Sequence, residues 1–318
     1  MPDSIKPQLL KGFRDFLPEQ MILRQTIIGR VRAIFEKHGF APLDTPALEY
    51  LETLTGKYGD DERLLYKFQD AGGRDVGLRY DLTVPLARTV GLYHNQMVFP
   101  FKRYHIGPVW RAEKPQRGRY REFYQCDIDI VGSASMVADA EVLSVLTEAM
   151  DAFGFPAYNI LLYNRKLLSA MGRYAGVPAE QAGLLYRAID KLAKIGADGV
   201  LAEMERNGVP PEAARRALTL ATETAGQDNA TVLAGLETRL AGDAVAQDGV
   251  RELREVAEYL GALSASAGKV RVDPTLARGI DYYTGPIWEI IVEEPKIGSL
   301  GAGGRYDKLV GTFAGRDL

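Results

Sequence analysis

One cysteine, Cys126, is all the thiol that this 318-residue chain carries. That excludes an internal disulfide framework and a cysteine-based metal cluster, and it suits a reducing, cytoplasmic compartment. Cys126 lies on an alternating stretch and is expected to be a small core residue. No apolar run reaches the ~18 residues needed to span a membrane. The start, "MPDSIKPQLLKGF", holds no apolar segment of signal-peptide length. Excess positive charge is missing as well: the formal net charge is −3, so any contact with nucleic acid must be local. The three histidines, His38, His94 and His105, fall in no metal-ligand pattern and read as structural or surface residues. There is no internal repeat and no low-complexity tract.

What is there is the balance of an ordinary globular protein, 46% hydrophobic and 25% charged, with length enough for a sizeable core. The spacing predicts a helix over roughly 19–38, with Ile27, Ile28, Val31, Ile34 and Phe35 on one face, Pro18 before it and Gly39 after it. The prolines of "FAPLDTPALEY" resist helix. "LLYKFQD" (64–70) and "VGLRY" (76–80) read as strands about the turn "AGGRD", and "DLTVPLARTVGLY" as a short helix. A further helix is expected over 136–153, with Ala140, Leu143, Leu146, Met150 and Phe153 as its stripe and Gly154 as its stop. "YNILLY" (158–163) reads as a strand. From about 165 to 264, Ala, Leu, Arg and Glu dominate between turn signals such as "NGVPPE", which predicts a helical segment. Strand signals return in "KVRVD", "PIWEIIV" and "IGSLGAGGRYDKLV". The fold class is α+β: a mainly antiparallel sheet with helices, interrupted by a helical insertion.

The densest chemistry lies in "RAEKPQRGRYREFYQCDIDI" (111–130). "VWRAE" and "YREFYQCDIDIVG" read as two strands joined by the loop "KPQRGR". Alternation puts Arg121, Phe123, Gln125, Asp127 and Asp129 on one face of the second strand. Glu122, Tyr124, Cys126, Ile128 and Ile130 share the other, which is the better core face. A half-buried strand with its polar face in water accounts for the alternation. Against it stand the aromatic Phe123 among charges and the alternating Arg117, Arg119 and Arg121. Arg111 and Glu113 stand on the neighbouring strand, able to face the same space. Arginine forks suit phosphate oxygens, and a phenyl face suits a flat base. Acids further along could hold a cation or an imidazole N–H. The stretch therefore reads as a site for ATP at one end and a small cationic or polar substrate at the other.

Here the residues reach a resemblance. "R-A-E … G-R-Y-R-E-F" resembles motif 2 of class II aminoacyl-tRNA synthetases, and "GRYREFYQCDIDIVG" resembles its histidyl-tRNA synthetase version. "LARGIDYYTGPIWE" (276–289) and "GAGGRYDKLVG" (301–311) resemble the two histidine-specific signatures of that family. "KGFRDFLP" (11–18) resembles its N-terminal signature and "LRYDLTVPLAR" (78–88) its amino-acid-binding loop. The likeness runs from about residue 8 to 313. It implies a class II synthetase-like antiparallel sheet flanked by helices. The catalytic core would occupy 1–164 and 265–318, and the helical insertion domain 165–264.

The resemblance implies a role for each matching residue. Arg111 would grip the α-phosphate of ATP, where charge rises as the amino-acid carboxylate attacks. Glu113 would read the adenine amino group, Phe123 would stack on adenine, and Arg119 would hold the outer phosphates. Arg278 would contact both the α-phosphate and the histidine carboxylate. Asp81 and Thr83 would bind the α-amino group, and Gln125 the carboxylate or amino group. Asp129 and Tyr283 would bracket the imidazole, so that an isosteric apolar side chain leaves buried partners unpaired. Aspartate at 129 resembles the archaeal and eukaryotic-like branch. Tyr282, Gly303 and Gly304 would complete the pocket wall, although "GAGGRY" alone also reads as a hairpin loop. The implied reaction converts histidine and ATP to histidyl-adenylate, with Mg²⁺ on the phosphates, and then charges tRNA(His). The first helix with "GFAPLDTPALEY" resembles motif 1, Pro46 included, which implies a homodimer; an edge strand packed on a helix is the plainer reading.

Motif 3 and the anticodon-binding domain find no match within the 318 residues. The expectation is a fragment of a longer synthetase or a naturally shortened relative. One rival is the regulatory subunit of ATP phosphoribosyltransferase, a paralogue that keeps the fold without charging tRNA. Another is the synthetase-like domain that senses uncharged tRNA in a stress kinase. Arg111, Glu113 and Arg278 together favour catalysis.

Overall fold

The structure, a computed structural model, describes residues 5–155, 157–277, 282–294 and 298–315. The chain divides into two compact units, Met1–Ser133 with Leu309–Leu318, and Ala134–Lys308.

In chain order the first unit contains α1 (Pro18–Lys37), β1 (Ala41–Pro42), β2 (Leu48–Tyr50), α2 (Leu51–Leu54), β3 (Lys67–Gln69), β4 (Asp75–Leu78), α3 (Thr83–Tyr93), β5 (Phe101–Trp110) and β6 (Glu122–Val131), and it is closed by the helix Leu309–Ala314. α1 begins on Pro18, whose missing N–H costs nothing in a first turn, and ends before Gly39 at φ 75°. Its expected single stripe is split. Val31, Ile34 and Phe35 are buried, whereas Ile27 of the same stripe is 42% exposed; Ile22 and Leu23, earlier in the helix and outside that stripe, also face outward. The buried half of α1 packs on the even-numbered side chains of β5: the Phe35 and Tyr104 rings lie 6.0 Å apart, and the Tyr104 hydroxyl donates to Glu36 at 2.8 Å.

β5 and β6 form an unbroken antiparallel ladder from Phe101↔Val131 to Trp110↔Glu122, and β1 pairs parallel with β5. β5 thus begins earlier than "VWRAE" suggests and stops at Trp110. Arg111 and Glu113 lie beyond the strand, which corrects their expected position. The Arg111 N–H still donates to Arg121 O (2.9 Å), but the next amide, Ala112 N–H, turns to Leu64 O (2.8 Å), which draws the chain off the ladder.

The expected core face of β6 is corrected too. Cys126 is exposed and Tyr124 is 44% exposed, whereas Asp129 is only 8% exposed. The segment entering α3 covers the charged face, where Arg103 Nη2 donates to Leu82 O at 3.0 Å. β2, β4 and β3 form a small antiparallel sheet. Its tight turn is held by Asp70, which accepts from the amides of Gly72 (2.8 Å) and Arg74 (3.0 Å).

The second unit contains α4 (Met136–Ala152), β7 (Tyr158–Asn164), α5 (Arg165–Ala175), α6 (Ala182–Ile189), α7 (Leu192–Arg206), α8 (Pro211–Thr222), α9 (Asn229–Arg239), α10 (Ala244–Leu263), β8 (Val270–Val272), β9 (Pro286–Val292) and β10 (Ser299–Gly304). The strands order as β10–β9–β7–β8, antiparallel except for the β7–β8 pair. α10 starts on Asp243, whose carboxylate accepts from the Val245 and Ala246 amides, both at 3.0 Å. It buries Val250, Leu253, Val256 and Leu260 and packs against α4 and α5. The residues expected as one helical segment are thus helices α5–α10, and α7 bends at Gly196, which takes φ 69°.

Candidate active site

The charged face of the β5–β6 ladder is the centre of the first unit's polar chemistry. The register sets Arg103 opposite Asp129, His105 opposite Asp127, Gly107 opposite Gln125 and Val109 opposite Phe123. Asp81, just before α3, is buried beside this face; it accepts from the amides of Thr83 (3.2 Å) and Val84 (3.0 Å) and from the Tyr58 hydroxyl (3.1 Å). A carboxylate suits the unpaired N–H groups of a helix start. Three bonds of Asp81 therefore already serve the fold, and Thr83, the first residue of α3, stands half-buried beside it.

Several buried polar atoms on this face have no hydrogen-bond partner among the described residues: Nε and Nη1 of Arg103, Nδ1 of His105 and Oε1 of Gln125. Native chains rarely leave such atoms unmatched, and a cluster of them on one face marks a place that a polar ligand completes. Electrostatics add to this. Burial, reinforced by neighbouring Asp129 and Asp81, pushes the Asp127 carboxyl up to about 7 although Arg103 opposes it. Burial, with Arg103 and Arg79 nearby, pulls His105 down to about 4 even though its Nε2 lies 2.9 Å from Asp44. His105 is thus a buried neutral ring. Arg103, His105 and Asp127 escaped the choice of site residues. The only signal for the first two was the charge alternating through "KRYHI", a segment that ends up inside a strand.

Past the end of the ladder, the loop brings the expected nucleotide residues together. Arg111 lies between two rings, with its guanidinium carbon 4.2 Å from the Tyr80 centroid and 5.1 Å from that of Phe123, and its Nε donates to Tyr80 O at 3.1 Å. This contact fixes the arginine by cation–π attraction while leaving its fork of nitrogens at the loop. Glu113 and Arg119 face each other at 3.3 Å across the loop, a weak, exposed pair that an incoming ligand can part. The third arginine of the alternating run has a structural task. Arg121 Nε donates to Glu113 O (3.0 Å), its Nη1 donates to Lys11 O (3.3 Å), and its amide donates to Gly12 O (2.9 Å). Gly12 takes φ 91°, and a Cβ there would lie 2.8 Å from Pro115, so the N-terminal stretch lies flat on this loop only as glycine.

In the second unit, Tyr282 lies edge-on to Tyr283 (4.9 Å) and to Tyr306 (6.1 Å). Gly303 pairs with Trp288, and a Cβ on Gly303 would lie 2.6 Å from the indole Nε1. A packing reason thus accounts for that glycine, and "GAGG" is strand rather than hairpin loop. Arg278, the expected link between the two substrates, lies outside the described residues. Among the described residues, no group of three or more His, Cys, Asp or Glu could hold a metal ion, and no helix is long and apolar enough to cross a membrane.

The chain is similar to known proteins over nearly its whole length. A family profile described as histidyl-tRNA synthetase matches residues 12–318. A histidine–tRNA ligase of Aeropyrum pernix is 48% identical over 98% of this chain and 71% of its own length. One of Rhodopirellula baltica is 46% identical over 99% and 71%. The solved histidyl-tRNA synthetase of a Nostoc species superposes with a TM-score of 0.87 at 31% identity, over 99% of this chain and 72% of that one.

Proposed function

This chain belongs to the histidyl-tRNA synthetase family, and from that membership we propose how its residues divide the work of a histidine–tRNA ligase. ATP and histidine react to histidyl-adenylate and pyrophosphate, and the histidyl group then passes to a hydroxyl of the terminal ribose of tRNA(His), releasing AMP. Arg111 steadies the α-phosphate. Its ring-clamped guanidinium supports that role, because a donor fixed before reaction needs no reorganisation as charge develops. Phe123 stacks on adenine, Glu113 reads the adenine amino group, and Arg119 leaves Glu113 for the outer phosphates. When bound with ATP, Mg²⁺ would supply charge shielding on those phosphates, with no cluster of three or more His, Cys, Asp or Glu among the described residues to hold it. Asp81, Thr83 and Gln125 take the amino-acid backbone, and Asp129 takes the imidazole N–H. Tyr282, Tyr283 and Gly303 belong to the histidine subsite by kinship, as does Arg278.

The observation that carries the reading is the unmatched, buried Gln125 Oε1, on the same strand face as Asp129 four residues along β6. Residues 165–264 form the insertion domain in this reading, and 1–164 with 265–318 the catalytic core. The exposed apolar side of α1, with Leu17, Ile22 and Leu23, supports a homodimer formed through this helix. The cytosol, where tRNA and ATP meet, is its compartment. The regulatory-subunit reading has less support: a solved Bacillus halodurans chain described as an ATP phosphoribosyltransferase regulatory subunit/histidyl-tRNA synthetase shares the fold at 24% identity, whereas the histidine–tRNA ligases reach 48%.

Histidine-dependent ATP–pyrophosphate exchange tests the proposal, with Arg278→Ala as control. Exchange that falls at least ~100-fold in the variant is the expected result. Exchange that ignores histidine would sink the reading.

A further inference from the structure

Arg103 is wholly buried, with no exposed surface. Its Nη2 lies 2.6 Å from Asp129 Oδ2 and donates to Leu82 O at 3.0 Å, while Nε and Nη1 find no acceptor among the described residues. A guanidinium taken out of water is costly unless it is paired, and an apolar side chain of like size would pack the strand with less penalty. The arginine therefore answers an electrical need. Around it stand Asp127 and Asp129 on β6, Asp81 with Tyr58 before α3, His105 two positions along β5 and Arg111 beyond the strand end. Asp127 illustrates what burial does to an acid on this face when no side-chain partner of the quality of Arg103 is aimed at it: it holds its proton up to about neutral pH. Asp129 has such a partner, with Arg103 Nη2 2.6 Å from its Oδ2.

We propose that Arg103 is the positioning residue of the side-chain subsite. By pairing with the Asp129 carboxylate at 2.6 Å while anchored to Leu82 O, it holds that acid in place as an acceptor, so that the subsite selects a basic ring that donates N–H over a ring of the same shape that is not basic. The proposal rests on the ligase reading and deepens it. A protonated Asp129 would both donate and accept, and would no longer separate the two kinds of ring. An ionised Asp129 accepts only.

The test is calorimetric binding of histidine and of 1,2,4-triazolyl-alanine, a near-isostere with a much less basic ring, between pH 6 and 8.5. It compares the unaltered chain with Arg103→Met, Arg103→Lys and the double variant Arg103→Met/Asp129→Asn. Arg103→Met is expected to weaken histidine roughly 10- to 100-fold near pH 7. It should also move the acid limb of the pH profile upward and shrink the preference for histidine over the triazole. Arg103→Lys, which keeps the charge, should recover most of that preference. ATP affinity should stay within about twofold, because ATP meets none of these groups in the proposed arrangement. The double variant carries no buried charge at this pair, so it is expected to fold even if Arg103→Met does not, and it should bind both ligands weakly and alike. An unmoved pH profile with unchanged ring preference in Arg103→Met would overturn the proposal. So would a double variant that still prefers histidine. If the unaltered chain binds no histidine at all, the ligase reading falls, and this proposal falls with it.

Discussion

Two buried polar clusters in this protein are built in opposite ways. In the second unit Asn164, at the start of α5, donates to Glu252 of α10 at 2.8 Å, and Lys166 bridges Glu252 (2.7 Å) and Asp248. Asn164 also accepts from the Lys166 amide at 2.9 Å. Each group there serves another, and the cluster fastens β7 and α5 to α10. On the β5–β6 face the opposite holds: Arg103, His105 and Gln125 keep buried atoms with nothing to bond among the described residues, and acids crowd beside them. A closed network stabilises a scaffold, and an open one waits for a ligand. Buried polar residues are thus informative by what they leave unpaired, more than by their number.

Removing Arg111 should have the largest effect. Arg111→Ala is expected to lower kcat/KM for pyrophosphate exchange by about 1,000-fold with little change in unfolding free energy, since it takes a donor from the open side of the comparison. Parallel exchange kinetics and urea titrations check this, and a large stability loss would blur the distinction. Glu252→Ala should do the reverse, costing about 3 kcal/mol in urea unfolding by stranding Asn164 and Lys166, while the folded fraction exchanges pyrophosphate at the unaltered rate.

Asp127→Asn probes the open cluster by pH. The folded protein holds the Asp127 proton up to about 7, whereas the unfolded chain loses it near the ordinary carboxylate value. Between those values the folded state binds the extra proton, so this group's contribution to stability falls as pH rises through that window. The asparagine variant should therefore unfold later than the unaltered chain at pH 8, by on the order of 2 kcal/mol, and the gain should vanish towards pH 4. A pH-independent difference would contradict the buried acid. The smallest expected change is Asp243→Ala, which removes the cap of α10 and an exposed ion pair with Arg173 and should cost about 1 kcal/mol, read as a modest drop in the urea midpoint with exchange unaltered.

Much of the architecture was legible beforehand because its signals are local. Proline at the start of α1, glycine after it, the run of turn signals between α5 and α10, and the alternation of β6 all act within a few residues. The stretch that holds Arg111, Glu113, Arg119 and Phe123 stood out for the same reason, as a run of charged and aromatic types around one short loop, and the roles expected of them came from the resemblance. What escaped was the identity of the buried face. Alternation says which side chains share a side of β6, but both sides of a strand carry plausible cover until the neighbours are known. The segment entering α3 covers the charged side, and α1 leaves Tyr124 and Cys126 exposed. Arg103 and His105 escaped with it, since a charged residue in a strand carries no mark of its burial. Arg121 was read with the phosphate-binding arginines, but its contacts are with Lys11, Gly12 and Glu113, over a hundred residues apart in part.

The amino-acid order by itself determined most helices and strands and the period of each face, because propensity, capping and periodicity are short-range effects, and its motifs pointed to the family. Only the tertiary structure decided which charges went inside, which partner each one met and which were left waiting. Desolvation and ion pairing depend on what lies across the sheet and over it, and those neighbours are far away along the chain.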